Sequence, residues 1–212
     1  MTTASAARTL DAGEKFFWML DQVSCMNFVV FAELECQLPP ATLQAALGEL
    51  QRRHPLLNCG IRVGDAGHVA FYRTEPTPIR LSVQPVAADS WQEPLQAQLA
   101  QPFAAEEHPL ARALYLPRSD APGSIVGLVY HHAIADGRSG TALLREWLQQ
   151  ALTELGLALP TDTARDEEPR WLADLRLGLL HRAAGPAGLQ SALLGGMAVA
   201  GRVLAAFSGG DP

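Results

Sequence analysis

The spacing of apolar residues switches repeatedly between a period near two and a period near 3.6, which predicts alternating strands and helices over roughly the first 155 positions. Residues 10–20 predict a short helix with an aromatic face. Residues 27–38 are rich in Phe and Val and alternate at Phe31, Glu33 and Glu35, which predicts a strand ended by Pro39-Pro40. Leu43, Leu47 and Leu50 then recur at helical spacing over residues 41–53, and His54-Pro55 closes that helix. Two strands, 56–63 and 68–74, flank Gly64-Asp65-Ala66-Gly67, a hairpin signal, and a short strand follows at 79–83.

A helix over 90–100 takes Asp89 or Ser90 as its cap. Strands at 111–118 and 124–131 are joined by the turn residues 119–123. The second of these is almost continuously apolar, as a strand buried on both faces is. Residues 140–155 give the clearest helix, with Leu144, Leu148, Ala151, Leu152 and Leu155 on one face and Arg145, Gln149 and Glu154 off it. The expected fold is α/β: a two-layer sandwich of a mixed sheet covered by helices, over residues 1–158. Residues 159–169 are polar, acidic and bounded by Pro160 and Pro169, as in an exposed linker. Residues 170–212 are expected to form a helical tail with amphipathic segments at 170–184 and 189–207, broken at Gly185-Pro186.

Composition narrows the classes. With 48% hydrophobic and only 18% charged residues, the 212-residue chain is not disordered as a whole. The net charge of −6 argues against a nucleic-acid partner. Cys25, Cys36 and Cys59 are odd in number and without paired spacing, which argues for a reducing cytoplasm rather than a disulfide scaffold. The first residues lack the apolar core of a secretory signal. Residues 183–201 carry no charge but are rich in Gly and Ala, so they read as weakly apolar helix packed on protein, with a peripheral membrane contact as the alternative.

One constellation carries chemistry: His131-His132-Ala133-Ile134-Ala135-Asp136-Gly137, where the buried strand gives way to the best helix. Neighbouring strand residues point to opposite faces, so one histidine at most faces a given cleft. An imidazole held there suits general-base work, since its reference pKa is about 6.5. Asp136 would fix the bend by pairing with an arginine or with backbone N–H groups, and Gly137 permits a tight turn, including one with φ > 0. Two alternatives stand beside this. The histidines are satisfied core groups, or, less economically, they join Asp136 in binding a metal, which no nearby third His or Cys supports. No Gly-x-Ser-x-Gly elbow and no Gly-rich phosphate loop is present.

The same seven residues resemble the HHxxxDG motif of the condensation-domain and CoA-dependent acyltransferase superfamily, which includes chloramphenicol acetyltransferase, the condensation domains of nonribosomal peptide synthetases, polyketide-associated acyltransferases and wax ester synthases. Leu50-Gln51-Arg52-Arg53-His54-Pro55-Leu56-Leu57 resembles the family's L-x-x-R-H-P-x-L. Pro102-Phe103 with Pro109-Leu110-Ala111-Arg112 resembles its P-F-x…P-L-x-R. Ser139-Gly140 is similar to the wax-synthase and polyketide-associated branches. The likeness spans residues 10–155.

It implies a chloramphenicol acetyltransferase-like lobe in which His132 is the catalytic base that deprotonates an alcohol or amine attacking a thioester carbonyl. His131 would be structural, Asp136 would pair with an arginine to shape the loop, and Gly137 would leave room for the substrate channel. The donor would be acyl-CoA or an acyl group on a carrier-protein phosphopantetheine arm, with no metal and no permanently bound cofactor. Two departures stand out. Where the family has an arginine after H-P-x-L, this chain has Asn58-Cys59-Gly60, so either Arg62 takes over the pairing with Asp136 or the pairing is lost. The second-lobe D-F-G-W-G pattern is also absent. The resemblance therefore implies the first of two lobes, completed by a second lobe or partner subunit, with a non-catalytic scaffolding module that binds a carrier protein or partner as the alternative.

Overall fold

A computed structural model describes residues 6–64, 67–73, 77–104, 108–157 and 176–181. In chain order the elements are β1 (Ala6–Thr9), α1 (Ala12–Asp21), β2 (Asn27–Leu34), α2 (Pro40–Arg53), β3 (Cys59–Val63), β4 (Val69–Arg73), β5 (Leu81–Val83), α3 (Gln92–Ala100), β6 (Ala111–Pro117), β7 (Ser124–His131), α4 (Gly137–Glu154) and β8 (Arg176–His181). Five strands form a mixed sheet in the order β5-β6-β7-β2-β8, with only β5 and β6 parallel. A smaller sheet, β1-β4-β3, is antiparallel throughout.

The period-two alternation of the strands sorts the core into two sides. On one side Phe28, Val30 and Ala32 of β2 and Val126, Leu128 and Tyr130 of β7 meet Leu43, Leu47 and Leu50 of α2 and Leu144, Trp147 and Leu148 of α4. On the other, Val29 and Phe31, with Ile125 and Val129, meet Leu95 and Leu99 of α3. The mixed α/β sandwich expected from the sequence is the observed architecture, with α3 extending the cover to the sheet's second face. All eight residues of β7 are buried, as its unbroken apolar run predicts.

Polar side chains lock the helices to this frame. Trp147 Nε1 donates to Leu43 O at 2.9 Å and joins α4 to α2. Gln51 is buried: its Nε2 donates to Leu57 O and Thr77 O, and its Oε1 accepts from Ile79 N. Arg53 Nη1 and His54 Nε2, in the R-H-P segment, lie 3.0 and 2.7 Å from the two carboxylate oxygens of Glu146 on α4.

Several expectations are corrected. Residues 176–181, expected inside a helix, form β8, which pairs antiparallel with β2 from Phe28↔His181 to Glu33↔Arg176. An edge strand as long and apolar as β2 needs a neighbour on its open side, and that pairing satisfies its backbone. The expected linker 159–169 and the helix at 189–207 lie outside the described residues. Pro55–Asn58 is a 3₁₀ turn, so β3 starts at Cys59 rather than residue 56. The third helix starts at Gln92, with Trp91 at the cap and no side-chain cap bond, so neither Asp89 nor Ser90 caps it. Strand β1 has no counterpart in the expected elements; it pairs with β4 of the expected hairpin to make the separate small sheet. The turn after Gly64 is as expected: Gly64 N donates to His68 O at 2.7 Å, and Gly67 takes φ 76°.

Gly140 sets how closely α4 approaches the sheet. A Cβ there would lie 3.0 Å from Phe28, 3.1 Å from Val30 and 3.2 Å from Tyr130. All three neighbours are buried and packed, so overpacking outweighs any gain in helix propensity. Gly140→Val is expected to lower the unfolding free energy by about 2–3 kcal/mol. The measurement is the urea midpoint at constant m; a midpoint equal to that of the parent protein would contradict this close approach.

Candidate active site

The motif begins where β7 leaves the sheet. His131 N donates to Leu110 O at 3.1 Å, His131 O accepts from Ile134 N at 3.1 Å, and the chain turns into α4 at Gly137. Alternation sends the two histidines to different surroundings, as the sequence predicts.

His131 is buried on the side of Asn27, its register partner on β2. The Ala133 amide donates to His131 Nδ1 at 3.0 Å, which assigns the ring proton to Nε2. His131 Nε2 lies 3.3 Å from Asp21 Oδ2 of α1, with side chains 4% and 7% exposed. Asp21 also accepts from Met26 N at 2.7 Å. Burial works against the charge of Asp21, but the His131 and Met26 hydrogen bonds outweigh it and hold the carboxyl below its ordinary pKa.

The segment that resembles P-F-x…P-L-x-R closes over the same histidine. The Phe103 ring meets the His131 ring edge at 6.2 Å between centroids, and the Arg112 guanidinium lies 4.0 Å above Phe103. Arg112 Nη1 and Nη2 donate to Gln101 O and Pro102 O at 2.9 and 2.8 Å. Asn27 Nδ2 donates to Gln101 O at 2.7 Å, tying this segment to the sheet.

His132 is half-buried, with its Nδ1 atom covered. Its ring is stacked on Phe17 of α1 at 4.2 Å and 10° and tilted against Phe28 of β2 at 4.5 Å and 39°. Two aromatic faces leave the imidazole one plane in which to sit.

Asp136 is the N-cap of α4. Its carboxylate accepts from Ser139 N at 2.7 Å and Ser139 Oγ at 2.6 Å, and Ser139 Oγ accepts from Asp136 N at 2.9 Å. The Ser139 hydroxyl and amide bonds hold the Asp136 carboxyl below its ordinary pKa, against a smaller opposing effect of burial. Of the two expected partners of Asp136, an arginine or backbone N–H groups, the structure shows the second together with the Ser139 hydroxyl. Among the described residues, the Asp136 side chain is held by Ser139 and by neighbouring backbone amides, and not by an arginine side chain. Arg62 lies on β3 in the smaller sheet, its guanidinium 5.9 Å from the Tyr72 ring centroid. With a serine three positions after Asp136, a reciprocal cap is available locally and needs no distant cation. Gly137 is the first helical residue, and the left-handed bend open to it is not used; among the described residues the positive-φ glycines are Gly67 and Gly156.

The structure thus brings together His131, His132, Asp136 and Gly137, leaves Arg62 outside, and adds Phe17, Asp21 and Phe28. The sequence signal for α1 was its aromatic run, which marks a helix face but not what that face covers. Cys25, Cys36 and Cys59 are free thiols. Among the described residues no helix is long and apolar enough to cross a membrane.

Comparison with known proteins follows the same residues. The condensation-domain family model matches residues 16–162. A chondramide synthase from Chondromyces crocatus is 32% identical over 140 residues, which is 62% of this chain and 4% of the synthase. The starter condensation domain of rhizomide synthetase RzmA superposes with a TM-score of 0.62 at 19% identity, over 73% of this chain and 39% of that chain. The first condensation domain of the CDA synthetase gives a TM-score of 0.64 at 16% identity, over 76% and 43%. A variant of the rhizomide domain was solved in complex with C8-CoA and Leu-SNAC. The chain therefore spans about two fifths of these solved domains.

The Asp136 cap has a pH signature. Its carboxylate is ionised more readily in the folded than in the unfolded chain, so its contribution is present above the unfolded pKa, about 3.9, and fades as pH falls through the lower folded value. Asp136→Ala is expected to cost about 1 kcal/mol at pH 7. The gap to the parent protein should narrow below about pH 4. Urea titrations at pH 7 and in acid check this, and a gap independent of pH would contradict the charged cap.

Proposed function

The chain belongs to the condensation-domain family, and from that premise we propose that it is the motif-bearing lobe of an enzyme that moves an acyl group from a thioester to an amine or alcohol. The observation that carries this reading is the seat of His132, held in one ring plane between Phe17 and Phe28 at the end of a fully buried strand. A base that must meet a proton within hydrogen-bond reach depends on such fixed orientation.

In the proposed reaction, a nitrogen lone pair of His132 takes the proton of the acceptor amine or hydroxyl as that nucleophile attacks the thioester carbonyl. The tetrahedral intermediate collapses with cleavage of the carbon–sulfur bond, and the protonated imidazole returns its proton to the departing thiolate. Acceptor proton and product thiol balance, and no metal or redox partner is required. His131, with its two nitrogens engaged by Ala133 and Asp21, holds the strand end in place. Asp136 caps α4 and fixes the path of the loop, and Gly137 starts the helix beside it. The donor is acyl-CoA or an acyl group on a carrier-protein pantetheine arm. The complex of the rhizomide domain with C8-CoA and Leu-SNAC supports thioester donors and acceptors of this class.

A second lobe or partner subunit completes the site. Phe16, Met19 and Val23 on and just after α1 are 55%, 56% and 83% exposed, and the Phe16 ring meets Phe17, which stacks on His132; such exposed apolar side chains are suited to being covered. The second reading, a non-catalytic module that docks a carrier protein, draws on the loss of the arginine after Leu57 and on the two-fifths span. A purified chain that turns over an acyl thioester alone would remove it.

His132→Ala is expected to lower kcat/KM for acyl transfer by the assembled enzyme by about 10²- to 10⁴-fold. Circular dichroism checks that the fold survives. Unchanged acyl transfer in the alanine variant would end the general-base reading.

A further inference from the structure

One face of α1 meets both histidines of the motif. Phe17 and Asp21 are four residues apart on this helix, so they share a side. Phe17 lies 4.2 Å from the His132 ring and nearly parallel to it, while Asp21 lies 3.3 Å from His131 Nε2. The Met26 amide grips Asp21 from the loop that leads into β2. No residue of α1 is fully buried. Trp18 packs against the core only partly buried, and the contact made by the most deeply covered polar group of α1 adds a directional constraint on its rotation.

We propose that Asp21 is a positioning residue for His132: by pairing with His131 it sets the rotation and height of α1, and so holds Phe17 flat on the neighbouring imidazole. Asp21 touches neither His132 nor a reacting atom. Its influence runs through His131 on one side and through the helix to Phe17 on the other. The placement stands on geometry alone, and its consequence for turnover rests on the reading of His132 as the base.

The test reads the His132 ring and turnover separately. In aromatic ¹H–¹³C NMR of the full chain, the His132 protons lie over the Phe17 ring and are shifted by it. Asp21→Ala is expected to move these resonances toward their positions in Phe17→Ala. In the Phe17→Ala background, Asp21→Ala should move them no further. In the assembled enzyme Asp21→Ala should lower kcat on the order of 10- to 100-fold, with donor KM changed less than about twofold. Asp21→Asn, of the same shape and still able to accept from His131, shifts the resonances in the same direction by less, and it replaces alanine should alanine prevent folding. Unmoved His132 resonances in both Asp21 variants overturn the proposal, as do Asp21 and Phe17 effects that simply add. A coupled NMR shift in a protein that transfers no acyl group under any assembly leaves the positioning role standing and rejects the general-base reading instead.

Discussion

The alternation of side chains at the end of β7 is the constraint on which the site is built. Two adjacent histidines cannot share a face of a strand, so the fold must supply two different environments within one residue's rise. One is polar and closed: Asp21, Ala133 N and the edge of Phe103 around His131. The other is aromatic and half open: Phe17 and Phe28 around His132. The buried pair is affordable because each polar atom in it finds a partner, which is what a low-dielectric interior requires of such groups.

The short sequence patterns that resemble the family's acquire separate physical meanings around that strand end. Arg53 and His54 reach Glu146, so the R-H-P turn ties α2 to the middle of α4. Phe103 and Arg112 close the polar side of His131 and hold the chain that precedes β6. Gly140 lets α4 lie against Phe28, the ring that also touches His132, so the same aromatic reports both the helix–sheet spacing and the seat of the imidazole. None of these groups is in the motif itself. Phe28, Phe103 and Arg112 reach it from segments distant in sequence, while Gly140 follows it within the first turn of α4.

Legibility followed locality. The strand 124–131 and the helices over 41–53 and 140–155 are written in runs of apolar residues, and the structure places β7, α2 and α4 there. The separation of the two histidines was legible for the same reason, being a property of any strand. The Asp136 cap was half legible: a reciprocal cap with Ser139 is visible in the spacing, yet the family pattern pointed to a distant arginine. The identity of β8 was not readable, because Arg-Leu-Gly-Leu-Leu-His supports a helix turn or a strand until the open edge of β2 selects the strand. Asp21 was invisible for a similar reason, since nothing local marks a carboxylate whose partner lies on the other side of the sheet's sequence.

Helix α1 differs from the other helices in what holds it. Helices α2, α3 and α4 each bury leucines in the core, whereas α1 carries Phe16 through Leu20 as an unbroken apolar run and buries none of them fully. Trp18 packs against the core only partly buried, and the other anchors are polar: the reciprocal cap between Asp11 and Glu14, the Arg8 guanidinium on Glu14 at 2.6 Å, and the Asp21–His131 contact. Directional bonds fix where a helix sits more sharply than apolar contact does, but they contribute less to its stability. An element with few buried apolar contacts belongs to the part of a structure that opens most readily. The ring stacked on His132 therefore sits on the one described α-helix that has no fully buried residue. A partner surface that covered Phe16, Met19 and Val23 would add the hydrophobic contribution that α1 lacks, and would tighten the seat of His132 without touching it.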